Sequence, residues 1–259
     1  MNSLPKISII TVVFNGVQFI ESTIRSVIGQ NYPNFEYLII DGKSTDGTVD
    51  LIKKYEDNIG FWVSEPDQGI YDAMNKGLKK ATGDFVLFMN AGDAFYEKNT
   101  LSKIPFEQHP NADIFYGETV IIDENTGEEL GLRRKKLPID LDWKHYKKGM
   151  VACHQSSLVR KNIAGEYNTE YKLSADIDWV IRALKKSRET VFTQTIVARF
   201  LNGGVSRKQQ KNSLKERFNI MRKYFGLPQT IISHIGFFIE SLAIKAGLKP
   251  LFRKNTFVT

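Results

Sequence analysis

The first ninety residues alternate between short apolar runs and segments whose apolar side chains recur every three or four positions. Ile7–Val13 is an almost unbroken β-branched run, and residues 35–40 and 85–89 are built the same way. Runs of this kind predict strands covered on both faces. Between them, Ile20, Ile24, Val27 and Ile28 mark one helix. Val49, Ile52 and Tyr55 mark a second, and Ile70, Met74 and Leu78 a third, each with one buried stripe. A further short strand is predicted at residues 59–63. The resulting order, strand and helix in strict alternation, is that of a doubly wound parallel α/β sheet.

Three predicted strands run directly into small and polar residues at their carboxyl ends: Phe14-Asn15-Gly16, Asp41-Gly42-Lys43-Ser44-Thr45-Asp46-Gly47 and Asn90-Ala91-Gly92-Asp93. An open α/β sheet places its ligand chemistry there. Neither G-x-G-x-x-G nor G-x-x-x-x-G-K-[ST] follows the first strand, which excludes the usual dinucleotide and P-loop sites. Phe14 is suited to flank a base or to fill a core. Asp41 and Asp46 can accept hydrogen bonds from base or ribose, although Asp46 is equally placed to cap a helix. Asp93 can hold a divalent cation, Mg2+ or Mn2+, against phosphates, since hard cations take oxygen ligands.

These stretches, PKISIITVVFNG, QNYPNFEYLIIDGKSTDGT and SEPDQGIYDAMNKGLKKATGDFVLFMNAGD, together with HQSSLVR and LSADIDW downstream, resemble glycosyltransferase family 2 over residues 5 to about 205. The likeness is strongest to its bacterial polysaccharide-assembly members. The resemblance implies a GT-A fold: a Rossmann-like nucleotide-binding mixed central sheet flanked by helices. It implies an inverting, metal-dependent transfer of a hexose from a nucleotide-diphosphate sugar, with a lean to UDP. The expected acceptor is a hydroxyl of a glycan or polyprenyl-linked molecule. It further implies that Thr11, Phe14 and Asn15 hold the nucleoside, that Asp41, Ser44 and Asp46 contact uracil and ribose, and that Asp67 and Lys76 line the donor pocket. Asn90-Ala91-Gly92-Asp93 falls where the family has an Asp-x-Asp metal motif, but only Asp93 is acidic; Asn90 is left to touch sugar or ribose.

Farther along, residues 113–117 read as a strand, and residues 119–122 with the segment after Gly127 as a hairpin. Arg133-Arg134-Lys135-Lys136 reads first as a solvated loop, and alternatively as a contact for a diphosphate. Trp143, His145 and Tyr146 lie on a predicted helix, lining an acceptor groove or packing inward. His154 and Gln155 match the family's HQS segment and are expected in the active site, while Cys153 beside them has no support as a nucleophile. Asp176 and Asp178 are two apart at a helix start and cannot face the same way. The resemblance makes Asp176 the catalytic base; Asp178 reads as structural. Asn202-Gly203-Gly204-Val205-Ser206 resembles the family's G-G-x-S turn and reads as a closing loop or a linker.

Charge changes the picture only at the end of the chain. Net charge is +7, yet residues 206–259 hold eleven Lys/Arg and two acids, Glu216 and Glu240, while the first 205 residues hold 25 basic and 27 acidic side chains. This divides the chain into a transferase domain, 1–205, and a basic amphipathic extension, 206–259. In the extension, Gly226-Leu227-Pro228 breaks the helix, and Ile231, Ile235, Phe238 and Leu242 form one stripe. That stripe either packs on the domain or lies on anionic lipid. No uncharged apolar run is long enough to span a bilayer, there is no leader pattern, and the single cysteine suits a reducing compartment. The expected location is cytoplasmic, peripheral on the inner face of the cytoplasmic membrane. A sugar-phosphate nucleotidylyltransferase is the alternative enzyme, but it needs a glycine-rich basic loop after the first strand. A non-enzymatic membrane or nucleic-acid adaptor explains the tail but not acids at strand ends, which repel phosphate backbones. No nucleic-acid partner is therefore expected.

Overall fold

The computed structural model describes residues 4–203 and 209–257. Strands β1 (Ile7–Val13), β2 (Phe35–Asp41), β3 (Phe61–Ser64) and β4 (Phe85–Phe88) form a parallel half-sheet in the order β3-β2-β1-β4. Helices α1 (Val17–Ile28), α2 (Thr48–Lys54) and α3 (Ile70–Lys80) cross between them. Beyond β4 the sheet becomes mixed. β8 (Ser157–Arg160) pairs antiparallel with β4, β6 (Ile114–Asp123) antiparallel with β8, and β9 (Thr190–Asn202) parallel with β6. The short β5 (Ala94–Phe95) closes the far edge, and β7 (Glu129–Leu132) makes a hairpin with β6. The expected parallel core thus holds for four strands, inside a nine-stranded mixed sheet.

The apolar runs are covered on both sides. Ile7, Ile9 and Leu87 face one core with Ile20, Ile24 and Val27, while Ile10, Phe88 and Met74 face another centred on Trp179 of α5 (Ala175–Lys186). Each large side chain buried this way contributes about 1.5–3 kcal/mol. The α3 stripe differs by one residue from expectation. Ile70, the first residue of the helix, is exposed, and Tyr71, Met74 and Leu78 form the buried face. The two predicted stretches fall in one strand, Ile114–Asp123, in which Gly117 sits against Thr193, Thr195 and Val197 of β9 and lets the backbones approach. Residues 143–148 form a 3-10 turn capped by Asp142.

The extension is fastened along its length. Helix α6 (Gln210–Lys245) is two helices meeting at Gly226, whose φ of 76° only glycine adopts readily, just before Pro228. Glu216 accepts three backbone N–H groups, from Lys172, Leu173 and Ser174, at 2.9–3.0 Å. Lys223 and Tyr224 donate to the fully buried Asp178 of α5, at 3.1 and 2.7 Å. Ser233 donates to the Lys147 carbonyl, and Glu240 pairs with Arg134. After the helix, Arg253 bridges to Leu132 and donates to Glu118 and to the Arg133 carbonyl. The basic run is therefore no solvated loop. Arg133, Arg134 and Lys135 are half-buried under α6, and burial beside Arg133, Arg134, Arg217 and Lys148 pushes the Lys135 ammonium down to about 7.

The C-terminal half of that helix has its apolar face outward. Ile231, Ile232, Ile235, Phe238, Ile239 and Leu242 are 44–65% exposed, while Thr230 and Ser233 are buried. The stripe does not pack on the body of the protein. Within α6 an 18-residue stretch is, by length and composition, apolar enough to cross a membrane, and 11% of it is buried. The expectation that no such run exists counted only uncharged, continuous stretches; polar positions 230, 233, 234 and 240 interrupt this one. The 205/206 boundary and Gly204-Val205-Ser206 of the glycine turn lie outside the described residues.

Candidate active site

The loops after β1 and β2 are clasped together by side chains that sequence alone marks as polar. Asn15, held at φ 47°, receives the Ser44 hydroxyl's neighbourhood through its backbone: its N–H donates to Ser44 Oγ at 2.7 Å, and its Oδ1 accepts the Thr45 N–H at 3.0 Å. Ser44 in turn donates to Asp41 Oδ1, and Ser64 of β3 donates to Asp41 Oδ2, both at 2.5 Å. Asp41 is fully buried at the floor of this cleft. Phe14 lies above it, 64% exposed. Gly42 is needed where it stands, because a Cβ there would lie 2.5 Å from an Asp67 carboxylate oxygen and 3.3 Å from the Phe14 ring. Phe14, Gly42 and Asp67 thus come together as an exposed ring, a bare backbone and a carboxylate.

Three more of the expected residues have partners within the protein. Thr11 is buried, donating to the Met89 carbonyl at 2.7 Å beside the Tyr37 hydroxyl, and so fixes the β1–β4 junction. Asp46 caps two helices at once, accepting from the Val17 N–H with Oδ2 and from Thr48 with Oδ1. Lys76 is tied to Glu65 and to the Pro66 carbonyl, which steadies the β3–α3 loop.

Across the sheet edge, the Asn90–Asp93 turn is anchored on α1. Thr23 donates to the Asp93 carbonyl at 2.7 Å and accepts the Gly92 N–H at 3.0 Å. Asp93 is buried, its Oδ2 accepting from Gln155 Nε2 at 3.0 Å and its Oδ1 from the Leu201 N–H at 3.1 Å. Burial pushes its carboxyl up to about 7, although both hydrogen bonds pull the other way. Neither neighbour is charged, so the ion has no counter-ion to favour it. His154, buried, reaches Asn90 with one ring nitrogen (3.4 Å) and Tyr167 with the other (3.5 Å). Burial lowers its pKa against the pull of Asp176, and Arg133 lowers it further. The imidazole is neutral.

Asp176 stands in the first turn of α5, half-buried, with the Tyr71 hydroxyl 3.4 Å from Oδ1. It makes no capping bond; the segment leading into α5 is held instead by Glu216. Asp178, two residues on, points to Arg182, Lys223 and Tyr224. The two acids diverge as helical geometry requires. The charges of Arg133, Asp176 and Asp93 all reach Cys153, whose thiol burial holds above its usual range. Residues 153–155 thus bond to Arg133 and to Asp93, and the charge of Asp176 acts on Cys153 and His154.

Residues 8–167 match the sequence pattern of Glycosyl transferase family 2. The chain belongs to that family. A PGL/p-HBAD biosynthesis glycosyltransferase of Mycobacterium bovis is 32% identical over 212 residues, covering 78% of this chain and 79% of the relative. A putative teichuronic acid biosynthesis glycosyltransferase of Bacillus subtilis is 37% identical over 105 residues, 39% of this chain and 41% of its own. Among solved structures, S. aureus TarS 1–349 with UDP-GlcNAc aligns with a TM-score of 0.65 at 18% identity, covering 84% of this chain and 64% of that one. The mannosyltransferase PcManGT of Pyrobaculum calidifontis, solved with GDP-Man and Mn2+, aligns at 0.61 and 15% identity, covering 95% and 81%. The fold is that of the GT-A glycosyltransferases.

For a family 2 chain, sequence reasoning missed Ser64, which fixes Asp41, and Tyr71, which touches Asp176. Tyr71 was hidden by the assumption that Ile70 begins the buried stripe. It also passed over Glu216 as one acid in a basic tail. Among the described residues no group of three His, Cys, Asp or Glu side chains could hold a metal. Asn90 Oδ1 is nevertheless a buried acceptor without a partner, on the same turn as Asp93. Two protein oxygens on one turn fit a hard cation that draws its remaining ligands from phosphates and water.

Proposed function

We propose that this family 2 chain is an inverting glycosyltransferase that moves a sugar from a UDP-sugar to a hydroxyl of a glycan or polyprenyl-linked acceptor in surface polysaccharide assembly. The observation that carries it is Asp176: a half-buried carboxylate in the first turn of α5 whose one side-chain hydrogen bond among the described residues is from Tyr71, and whose charge, like that of Asp93, acts on Cys153. The base lies beside Phe14, Gly42 and Asp67, with Asn15, Asp41 and Ser44 beneath it. Asp176 accepts the acceptor hydroxyl's proton as that oxygen forms its bond to the anomeric carbon. The bond from that carbon to the diphosphate breaks in the same displacement, its electron pair leaving with the phosphate oxygen. One displacement inverts the centre, so an α-linked donor gives a β-linked product. A divalent cation, held by Asp93 and Asn90 Oδ1, would offset negative charge on the departing diphosphate. Neutral His154 keeps Asn90 in place and adds no charge of its own. Calorimetric titration with UDP, GDP and dTDP, each with and without Mn2+, tests this reading. UDP is expected to bind tightest with Mn2+, and Asp93→Ala to abolish the metal's effect; absence of binding by all three overturns it.

The extension holds this site at a membrane surface. Its two acids both pair with the body of the protein, Glu216 with residues 172–174 and Glu240 with Arg134, so the exposed residues of α6 are apolar, basic or uncharged polar, such as Asn212, Asn219 and Ser241. That pattern suits a helix lying in the plane of anionic lipid on the cytoplasmic face. Burial of Ile235 and Phe238 contributes about 1.5–3 kcal/mol each. Ile235→Glu with Phe238→Glu is therefore expected to weaken co-sedimentation with phosphatidylglycerol-containing vesicles at least about tenfold while leaving UDP binding unchanged. Undiminished co-sedimentation would refute the in-plane helix.

A further inference from the structure

Among the described residues, five arginines are half-buried: Arg133, Arg134, Arg160, Arg182 and Arg253. Four are neutralised by carboxylates, respectively Glu240 for Arg134, Asp113 for Arg160, Asp178 for Arg182 and Glu118 for Arg253. Arg133 has no such partner among the described residues. The one side-chain bond of its guanidinium is to Cys153 Sγ, a weak acceptor, through Nη1. A guanidinium carries five N–H donors, so most of the fork has no protein acceptor.

Its backbone, by contrast, is held firmly. The Arg133 N–H donates to the Thr119 carbonyl at 3.0 Å, and its carbonyl accepts from Arg253 Nε at 2.8 Å. The side chain leaves the end of β7 toward residues 153–155, and its positive charge acts on His154, Cys153 and Tyr146. Among the described residues Arg133 is the one cation bonded to residues 153–155; His154 is buried beside Asn90 and Tyr167, and Asp93 accepts from Gln155. Half-burying an unpaired charge is costly unless a ligand completes it. A planar fork with free donors is the shape that recognises phosphate oxygens in pairs.

We propose that Arg133 binds the diphosphate of the donor and meets the negative charge that grows on it as the sugar leaves. The inference rests on the nucleotide-sugar reading above and adds a residue of the β6–β7 hairpin to the site. It places the leaving group between the Asn90–Asp93 turn on one side and the hairpin on the other, with Cys153 as the spacer that aims the guanidinium. Arg253 is then a positioning residue, since it pins the Arg133 carbonyl and not the ligand.

The test compares the nucleoside with its diphosphate in the same protein. Uridine and UDP are titrated without metal into wild type, Arg133→Gln and Arg133→Lys. In wild type UDP is expected to bind about tenfold or more tighter than uridine. In Arg133→Gln that ratio falls toward one with uridine affinity retained, and Arg133→Lys recovers part of it and keeps a salt dependence. Uridine is the internal control for folding, because a collapsed site loses both ligands. A glutamine variant that keeps the wild-type ratio overturns the inference alone. A wild type that binds neither ligand overturns the nucleotide-sugar reading and the inference with it.

Discussion

Asp176→Asn is expected to lower sugar transfer by about two to four orders of magnitude while UDP binding and the melting temperature stay at wild-type values. The argument is geometric. Among the described residues Asp176 has no ion pair, and its one side-chain hydrogen bond is from the Tyr71 hydroxyl at 3.4 Å. Asparagine keeps the shape and that contact but cannot take a proton. Transfer that survives the change, measured as UDP released in the presence of acceptor, would remove Asp176 as the base.

Asp178→Ala is expected to do the reverse, destabilising the fold by about 3 kcal/mol, measured by urea denaturation. Its side chain is fully buried and accepts from Arg182 Nε at 2.7 Å, Lys223 Nζ at 3.1 Å and Tyr224 Oη at 2.7 Å. Burial by itself raises its pKa, but the bonds from Arg182, Tyr224 and Lys223 outweigh it and hold the carboxyl below its usual value. The unfolded state therefore binds the proton more readily than the folded one. The stabilisation is fully present above the ordinary aspartate pKa, near 4, and is lost as pH falls through the depressed folded value. The wild type should lose this increment on acidification and the alanine variant should have none to lose. Equal stability of the two at pH 7 would refute the anchor.

Neighbours in sequence, these two acids show what could be read in advance. The period of the helix dictates that they diverge, and the chain alone reveals that much. That Asp178 meets Arg182 is an i,i+4 pairing carried by α5 itself, whereas its bonds to Lys223 and Tyr224 come from more than forty residues downstream, and no local pattern carries those. The half-sheet was legible because β1, β2 and β4 are mostly buried and largely apolar. Beyond β4 the hairpin of β6 and β7 was legible, but not the pairing of β6 with β8 and β9, whose partners lie far apart in sequence. That Phe14 is exposed and lies with Asp67 beside Gly42 shows only once the loops are folded. The commitments of Thr11, Asp46 and Lys76 depend on partners 2 to 78 residues away, fixed only once the loops are folded. Arg133 shows the same limit. In sequence it is one member of a basic run, and only pairing its companions with Glu240 and with aromatic Phe237 leaves it distinct.

The grip of Glu216 on the backbone of residues 172–174 has a consequence for heredity and for handling alike. A stop codon or protease cut ahead of residue 216 does not leave a smaller working enzyme; it strips the support from the turn that presents Asp176. Nor can the tail be exchanged for that of a relative as a ready-made part, since its donors and acceptors are matched to α5 and to the β6–β7 hairpin. A change in the tail at Glu216, Lys223 or Tyr224 therefore calls for a matching change in residues 172–178.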